Sequence, residues 1–126
     1  MIARRVREAN VFSEIVPSNI SSNEVKAKNP AAIILSGGPS SVYSENAPTF
    51  DGEILKLGIP VFGICYGFQV MASALGGSVT KTGKSEFGRT RLKANDSKLF
   101  NNLPLEQLVW MSHGDAVTAA PKDFSI

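Results

Sequence analysis

The sequence predicts an α/β domain built around a mainly parallel sheet with flanking helices. Residues 31–36 and residues 59–64 are unbroken apolar runs, which favour strands covered on both faces over strands with one wet face. Helical patterns alternate with these runs, and strand–helix alternation favours right-handed βαβ units. Because 126 residues suffice for one domain, we assign residues 1–126 to a single domain of this class.

The chain should begin with two short helices. Residues 2–9 place arginines on one side of a helix and apolar side chains on the other. Ser21 can cap a second helix, because Glu24 lies three residues later and can return a hydrogen bond in a capping box. This helix should end near Asn29, since Pro30 disfavours the helical conformation in the residue before it.

The later elements follow from the same reasoning about periodicity and helix-stopping residues. Gly76 and Gly77, for example, are good stop signals for the apolar helix that precedes them. The predicted elements, in order, are a strand (31–36), a helix (49–57), a strand (59–64), a helix (66–75), extended strands with turns (78–93), a short strand (108–111) and a polar turn (112–115).

Composition excludes several classes of protein. Hydrophobic residues make up 43% and charged residues 19%, which is a globular balance and not that of a disordered chain. The net charge of +2 gives no argument for nucleic acid binding. No apolar run reaches the ~18 residues that a membrane helix needs. One cysteine and one histidine make neither a disulfide nor a convincing metal site, so we expect a cytoplasmic protein without a bound metal.

A cysteine between two glycines follows the second apolar run, in Gly63-Ile64-Cys65-Tyr66-Gly67. On a sharp strand-to-helix turn, a side chain projects out of the sheet, and glycines let the neighbouring backbone pass close by. The N-terminus of the next helix favours a thiolate and offers N–H groups to an oxyanion. Cys65 is therefore a candidate nucleophile. The alternative is a buried cysteine that acts as a small apolar side chain.

Two other polar segments end predicted strands. Gly37 and Gly38 allow a turn whose N–H groups could supply a second oxyanion donor, although Gly and Pro also punctuate ordinary loops. A phosphate-binding loop would need a lysine that this turn lacks. His113 could serve Cys65 as a general base, with Asp115 orienting the ring, or it could be an ordinary loop histidine.

Together these motifs resemble the class I (triad) glutamine amidotransferases, in the branch that forms the glutaminase domain of GMP synthase. Tyr66 follows the cysteine where other branches usually have leucine. The resemblance extends over most of the chain and is carried by residues 2–8, 34–42, 60–69, 75–77, 86–88 and 109–115.

The resemblance implies a flavodoxin-like fold and a specific set of site residues. Cys65 would attack the side-chain amide of glutamine, and the N–H groups of Gly38 and Tyr66 would hold the oxyanion. The residues expected to help bind glutamine are Gly37, Gly67, Gln69, Ser112, His113, Gly114 and Asp115. No cofactor is expected in this domain. ATP and Mg²⁺ would be used by a partner, an ATP-pyrophosphatase domain or subunit that receives the ammonia and aminates xanthosine monophosphate.

The sequence also departs from the family pattern. The family's general base and its carboxylate lie in a Gly-Val-Gln-Phe-His-Pro-Glu string that residues 1–126 do not contain, and the opening strand is absent as well. We therefore expect an incomplete domain with little or no glutaminase activity, in which His113 is a binding residue. Two alternatives are a self-sufficient Cys65–His113 hydrolase and a non-catalytic glutamine-binding module that docks on a synthetase subunit.

Overall fold

The computed structural model describes residues 1–125, except for the side chains of residues 82–86. The chain divides into two compact units, one formed by residues 1–79 with the chain from residue 117 onward, the other by Thr80–Ala116. The helices are α1 (Ile2–Glu8), α2 (Ser22–Lys28) and α3 (Tyr66–Ala74), with short 3-10 helices at Gly52–Lys56 and Lys98–Phe100. The strands are β1 (Ile33–Leu35), β2 (Val61–Gly63), β3 (Ser78–Lys93) and β4 (Glu106–Ala119).

Both predicted N-terminal helices are present, and the second confirms the prediction from its capping residues. The Ser21 hydroxyl accepts a hydrogen bond from the Glu24 N–H, and the Glu24 carboxylate accepts one from the Ser21 N–H at 3.0 Å. Asn29 ends α2 in the left-handed conformation with φ +47°. These contacts satisfy N–H groups that the first turn of a helix leaves without partners.

Strands β1 and β2 pair in parallel, with Ile34 opposite Phe62. Helix α3 contacts both strands. The expectation that both faces of these strands are covered is wrong for the central residues, because Ile34 is 41% exposed and Phe62 45% exposed. Successive side chains of a strand alternate between faces, so this pair lies on one open face while its half-buried neighbours lie on the other.

The small core of the first unit joins three elements. Val25 of α2, Ile54 of the first 3-10 helix and Ala72 of α3 are buried. Asp51 links two of these elements, since its carboxylate accepts hydrogen bonds from the Ser22 N–H at 2.7 Å and the Glu53 N–H at 3.0 Å. These bonds lower the pKa of the Asp51 carboxyl. The helix predicted at residues 49–57 is present only as the 3-10 helix Gly52–Lys56, which Asp51 caps.

Strands β3 and β4 form a second two-stranded sheet. The Ala94 N–H donates to the Leu105 carbonyl at 2.8 Å, and the Thr118 hydroxyl donates to the Ser78 carbonyl. The end of β3 therefore meets the start of β4, which makes the pair antiparallel. The extended conformation predicted at residues 78–93 is confirmed, but the turns expected within it are wrong, because β3 runs through the whole range as one strand. The polar turn predicted at residues 112–115 is wrong, because β4 continues through these residues.

The α/β class is confirmed, with one parallel strand pair and its helices in the first unit. Among the described residues, no helix is both long enough and apolar enough to cross a membrane.

Candidate active site

Cys65 occupies the turn between β2 and α3, as the sequence predicted. It is the N-cap of α3 and has φ +49° and ψ −115°. A non-glycine residue rarely adopts a positive φ, and such strained conformations cluster at functional sites. The cysteine is exposed and not a buried apolar side chain. The backbone therefore presents this thiol to solvent at the N-terminus of a nine-residue helix.

The glycines on either side of Cys65 are required by close backbone contacts. A Cβ on Gly63 would lie 2.6 Å from the Phe68 Cα. A Cβ on Gly67 would overlap the carbonyl group of Leu35 in the neighbouring strand. No side chain fits at either position without moving the backbone. We call residues 63–67 the elbow, and its sharp turn depends on these two contacts.

The second glycine turn lies directly beside the elbow. A Cβ on Gly37 would be 3.2 Å from the Cys65 Cβ and 3.9 Å from its sulfur, whereas one on Gly38 would be 3.8 Å from the Tyr66 Cβ. Each glycine thus faces one residue of the elbow. The structure brings together these two glycines, the cysteine and the tyrosine, which the sequence indicated only as separate motifs.

Backbone hydrogen bonds fix this arrangement. The Ile64 N–H donates to the Leu35 carbonyl at 2.9 Å, and the Gly67 N–H donates to the Ser36 carbonyl at 3.1 Å. Sequence reasoning missed both acceptors, because any residue supplies a carbonyl and no motif marks its role. The two bonds hold the end of β1 against the elbow.

The N–H groups predicted to hold the oxyanion remain available. Within the part of the chain that the structure describes, neither Gly38 nor Tyr66 donates a backbone N–H hydrogen bond to a protein acceptor. The Gly67 N–H, in contrast, already donates hydrogen bonds to the carbonyls of Ser36 and Ile64. The N–H groups of Gly38 and Tyr66 are therefore available to an oxyanion, and their role in catalysis stays a prediction.

The tyrosine side chain makes a contact that the sequence did not indicate. The Tyr66 hydroxyl donates to the Pro48 carbonyl at 3.3 Å. Partial burial raises the pKa of this hydroxyl above its ordinary value. It therefore remains a hydrogen-bond donor throughout the neutral pH range.

Gln69 follows one turn after Cys65 on α3. Its N–H donates to the Cys65 carbonyl at 3.0 Å, and the residue is only 7% exposed. Gln69 is thus a buried polar residue of the helix that Cys65 begins. Its predicted contact with glutamine stays a prediction.

The other predicted binding residues belong to the second unit. Ser112, His113, Gly114 and Asp115 are consecutive in β4, where Ser112 is exposed and Asp115 buried. Because strand side chains alternate, His113 and Asp115 share one face and Ser112 lies on the other. The four residues therefore do not form the single binding turn that the sequence suggested.

No metal centre is found among the residues described. Residues 1–125, apart from the side chains of 82–86, contain no group of three or more His, Cys, Asp and Glu side chains that could hold an ion.

Comparison with known proteins places the chain in a family. A family model described as "Glutamine amidotransferase class-I" matches residues 1–126. The chain is 61% identical to the GMP synthase [glutamine-hydrolyzing] of Mycobacterium marinum over 126 residues and 62% identical to that of Streptomyces avermitilis over 128 residues. It is fully covered in both alignments but spans only 24% of each relative.

Solved structures agree with this family. A crystal structure of a protein described as a GMP synthase subunit from Thermoplasma acidophilum has a TM-score of 0.81 and 32% identity to this chain. The match covers 98% of this chain and 63% of the Thermoplasma chain. A glutamine amidotransferase of Thermotoga maritima has a TM-score of 0.70 and 27% identity, and the match covers 95% of this chain and 56% of the Thermotoga chain. The chain belongs to the class-I glutamine amidotransferase family.

Proposed function

We propose that the chain is the glutamine-hydrolysing part of a GMP synthase. The observation that carries this proposal is the strained, exposed Cys65 at the N-terminus of α3, beside the turn of Gly37 and Gly38. Identity of about 60% to proteins named GMP synthase selects this branch within the family. Neither the Cys65–His113 hydrolase nor the non-catalytic binding module is favoured by these relatives.

The chemistry follows from the elbow. The Cys65 thiolate attacks the side-chain amide carbon of glutamine, and a sulfur–carbon bond forms as the carbonyl oxygen becomes negative. The N–H groups of Gly38 and Tyr66 stabilise this oxyanion. When the carbonyl re-forms, the carbon–nitrogen bond breaks, and the nitrogen takes up the proton that the thiol released to water on ionising and leaves as ammonia. Water then cleaves the thioester to glutamate and restores the thiol.

The ammonia is then used by a separate region or subunit. Because the chain spans 24% of its relatives, the remaining length of those proteins can hold the synthetase chemistry. We propose an ATP-pyrophosphatase partner that binds ATP and Mg²⁺ and aminates xanthosine monophosphate to GMP in the cytoplasm. The chain itself would need no cofactor for glutamine hydrolysis, since a cysteine thiolate is a sufficient nucleophile.

The first step can be tested apart from complete turnover. A thiol is partly ionised at neutral pH without a general base, so acylation should proceed even where hydrolysis of the thioester is slow. The chain is incubated with glutamic acid γ-hydroxamate, a glutamine analogue with the same carbonyl, and peptide mass spectrometry locates the γ-glutamyl group. We expect one adduct, on Cys65, and none in Cys65→Ala.

Each other outcome contradicts a specific part of the proposal. No adduct on the unmodified chain, together with glutamine binding that survives Cys65→Ala, would indicate a binding module. Loss of the adduct in His113→Ala, with glutamine still bound, would indicate the Cys65–His113 hydrolase. His113→Gln is the matched variant, because it keeps a polar side chain of similar length.

A further inference from the structure

The turn that carries Gly38 belongs to a long irregular segment. Residues 36–51 connect β1 to the first 3-10 helix and contain neither helix nor strand. The backbone hydrogen bonds within this segment, Ser44 N–H to Ser41 carbonyl at 3.0 Å and Ala47 N–H to Ser44 carbonyl at 2.9 Å, are local turns. The two ends of the segment are anchored, since the Gly67 N–H donates to the Ser36 carbonyl and the Ser22 N–H donates to the Asp51 carboxylate. Local turns do not fix the position of the residues between these ends, so side chains of other elements must do so.

The Tyr66 ring borders this segment at two separated places. Near its start, the ring lies beside Gly38 with room for about one methyl group between them, because an added Cβ on Gly38 would be 3.8 Å from the tyrosine Cβ and Cγ and 3.9 Å from Cδ1. Near its end, the tyrosine hydroxyl donates to the Pro48 carbonyl at 3.3 Å, and the ring lines a shallow cleft with Ala47 and Phe50. One side chain thus spans the segment from the glycine turn to Pro48.

These contacts bear on catalysis because the two oxyanion donors are held differently. The Tyr66 N–H is set by α3, whereas the Gly38 N–H lies in the irregular segment. An oxyanion hole works only when its donors are about 2.7–3.1 Å from the developing charge. Whatever holds Gly38 against the start of α3 therefore controls the geometry of the pair.

We propose that the side chain of Tyr66 is a positioning residue that holds the Gly38 turn in place for oxyanion stabilisation. This inference rests on the proposed glutaminase chemistry. It assigns the ring a role distinct from that of the Tyr66 backbone N–H. Removing the ring leaves both donors in the chain but releases one of them from its position.

The test compares two reagents on the same thiol. Acylation of Cys65 by glutamic acid γ-hydroxamate passes through an oxyanion. Alkylation by iodoacetamide is a direct displacement at carbon and forms none. Tyr66→Ala should slow acylation by about tenfold or more, up to the ~100-fold typical of losing one oxyanion donor. The iodoacetamide rate should change by less than about twofold, since only the oxyanion-forming reaction uses the donors.

A conservative variant keeps the test valid if Tyr66→Ala folds poorly. Tyr66→Phe keeps the ring against Gly38 and loses only the bond to Pro48. Because that bond is long, acylation should slow by only about twofold to threefold. Phe12→Ala, which removes an 88% exposed ring from a different segment, is the control for the loss of a ring and should leave both rates unchanged.

The outcomes separate this inference from the proposed function. If Cys65 of the unmodified chain forms no γ-glutamyl adduct, the proposed function fails and the positioning role fails with it. If the adduct forms but Tyr66→Ala acylates at the original rate, only the positioning role is overturned. Equal slowing of both reagents also overturns it, because the ring would then maintain the fold in general and not the oxyanion donors.

Discussion

The elbow and the β3–β4 hairpin differ in what limits their sequence. At the elbow, backbone atoms approach so closely that a Cβ on Gly63 or Gly67 meets main-chain atoms of a neighbouring segment. On the hairpin, the first eight side chains of β4 alternate between an exposed face and a half-buried face, and Trp110 is 75% exposed. The elbow therefore requires glycine at these two positions, whereas the hairpin requires only that its strands pair.

This difference has a consequence for mutation. A side chain added where backbones touch must move the backbone, whereas one changed on an open strand face meets only water. The site chemistry should be sensitive to single atoms at the elbow. Exposed positions of the hairpin should accept different side chains while keeping their backbone.

The largest effect is expected from Gly67→Ala. Its Cβ would overlap the Leu35 carbonyl, so we expect a loss of about 3 kcal/mol in the free energy of unfolding. Urea denaturation measures the change. Gly52→Ala is the matched control, because no atom lies within 4 Å of its added Cβ. Equal stabilities of the two variants would contradict the close approach.

The next effect should have the opposite sign. Cys65→Gly removes the strain of a side chain at φ +49°, and this gain exceeds the entropy that glycine adds to the unfolded chain. We expect the free energy of unfolding to rise by about 1 kcal/mol. Cys65→Ala keeps the Cβ and should not rise, so the pair separates strain from loss of the thiol. A variant Cys65→Gly that is less stable than Cys65→Ala would rule out strain at the elbow.

A smaller effect should appear on acidification. Hydrogen bonds from the Ser22 and Glu53 N–H groups lower the pKa of Asp51 from its ordinary value of 3.8. The stabilisation is thus complete above pH 3.8 and is lost as pH falls through the lower folded value. Unfolding midpoints measured from pH 6 down to about pH 2 should fall more steeply for the unmodified chain than for Asp51→Asn. Parallel curves would contradict the assignment.

The smallest effect is expected on the hairpin. Trp110→Thr replaces an exposed side chain by one that suits a strand, so the free energy of unfolding should change by less than about 0.5 kcal/mol. The same denaturation assay applies. A loss comparable to that of Gly67→Ala would remove the contrast between the two regions.

Local signals in the sequence predicted the local structure well. Ser21 and Glu24 indicated a capping box because both partners lie within one turn of helix, and the structure contains it. The cysteine between two glycines likewise indicated a strand-to-helix turn, and the structure confirms it, with β2 before the cysteine and α3 directly after it. In both cases the interacting atoms are near neighbours in the chain.

Non-local features were predicted less well. The polar residues Ser112 to Asp115 suggested a turn, but pairing with β3 carries β4 through them. The apolar runs suggested strands covered on both faces, yet Ile34 and Phe62 are exposed. Strand pairing and coverage depend on residues distant in sequence, which local composition does not report.

The sequence by itself determined the residues of the elbow, the two N-terminal helices with the capping box of the second, and the family to which their pattern belongs. Only the tertiary structure decided that Gly37 faces Cys65, that Gly38 lies against Tyr66, and that Tyr66 reaches the Pro48 carbonyl. These contacts join residues that are 18 or more positions apart. They arise where the end of β1 is hydrogen-bonded to the elbow. The acceptors of those bonds are backbone carbonyls, which every residue carries, so no pattern of side chains in the sequence marks them.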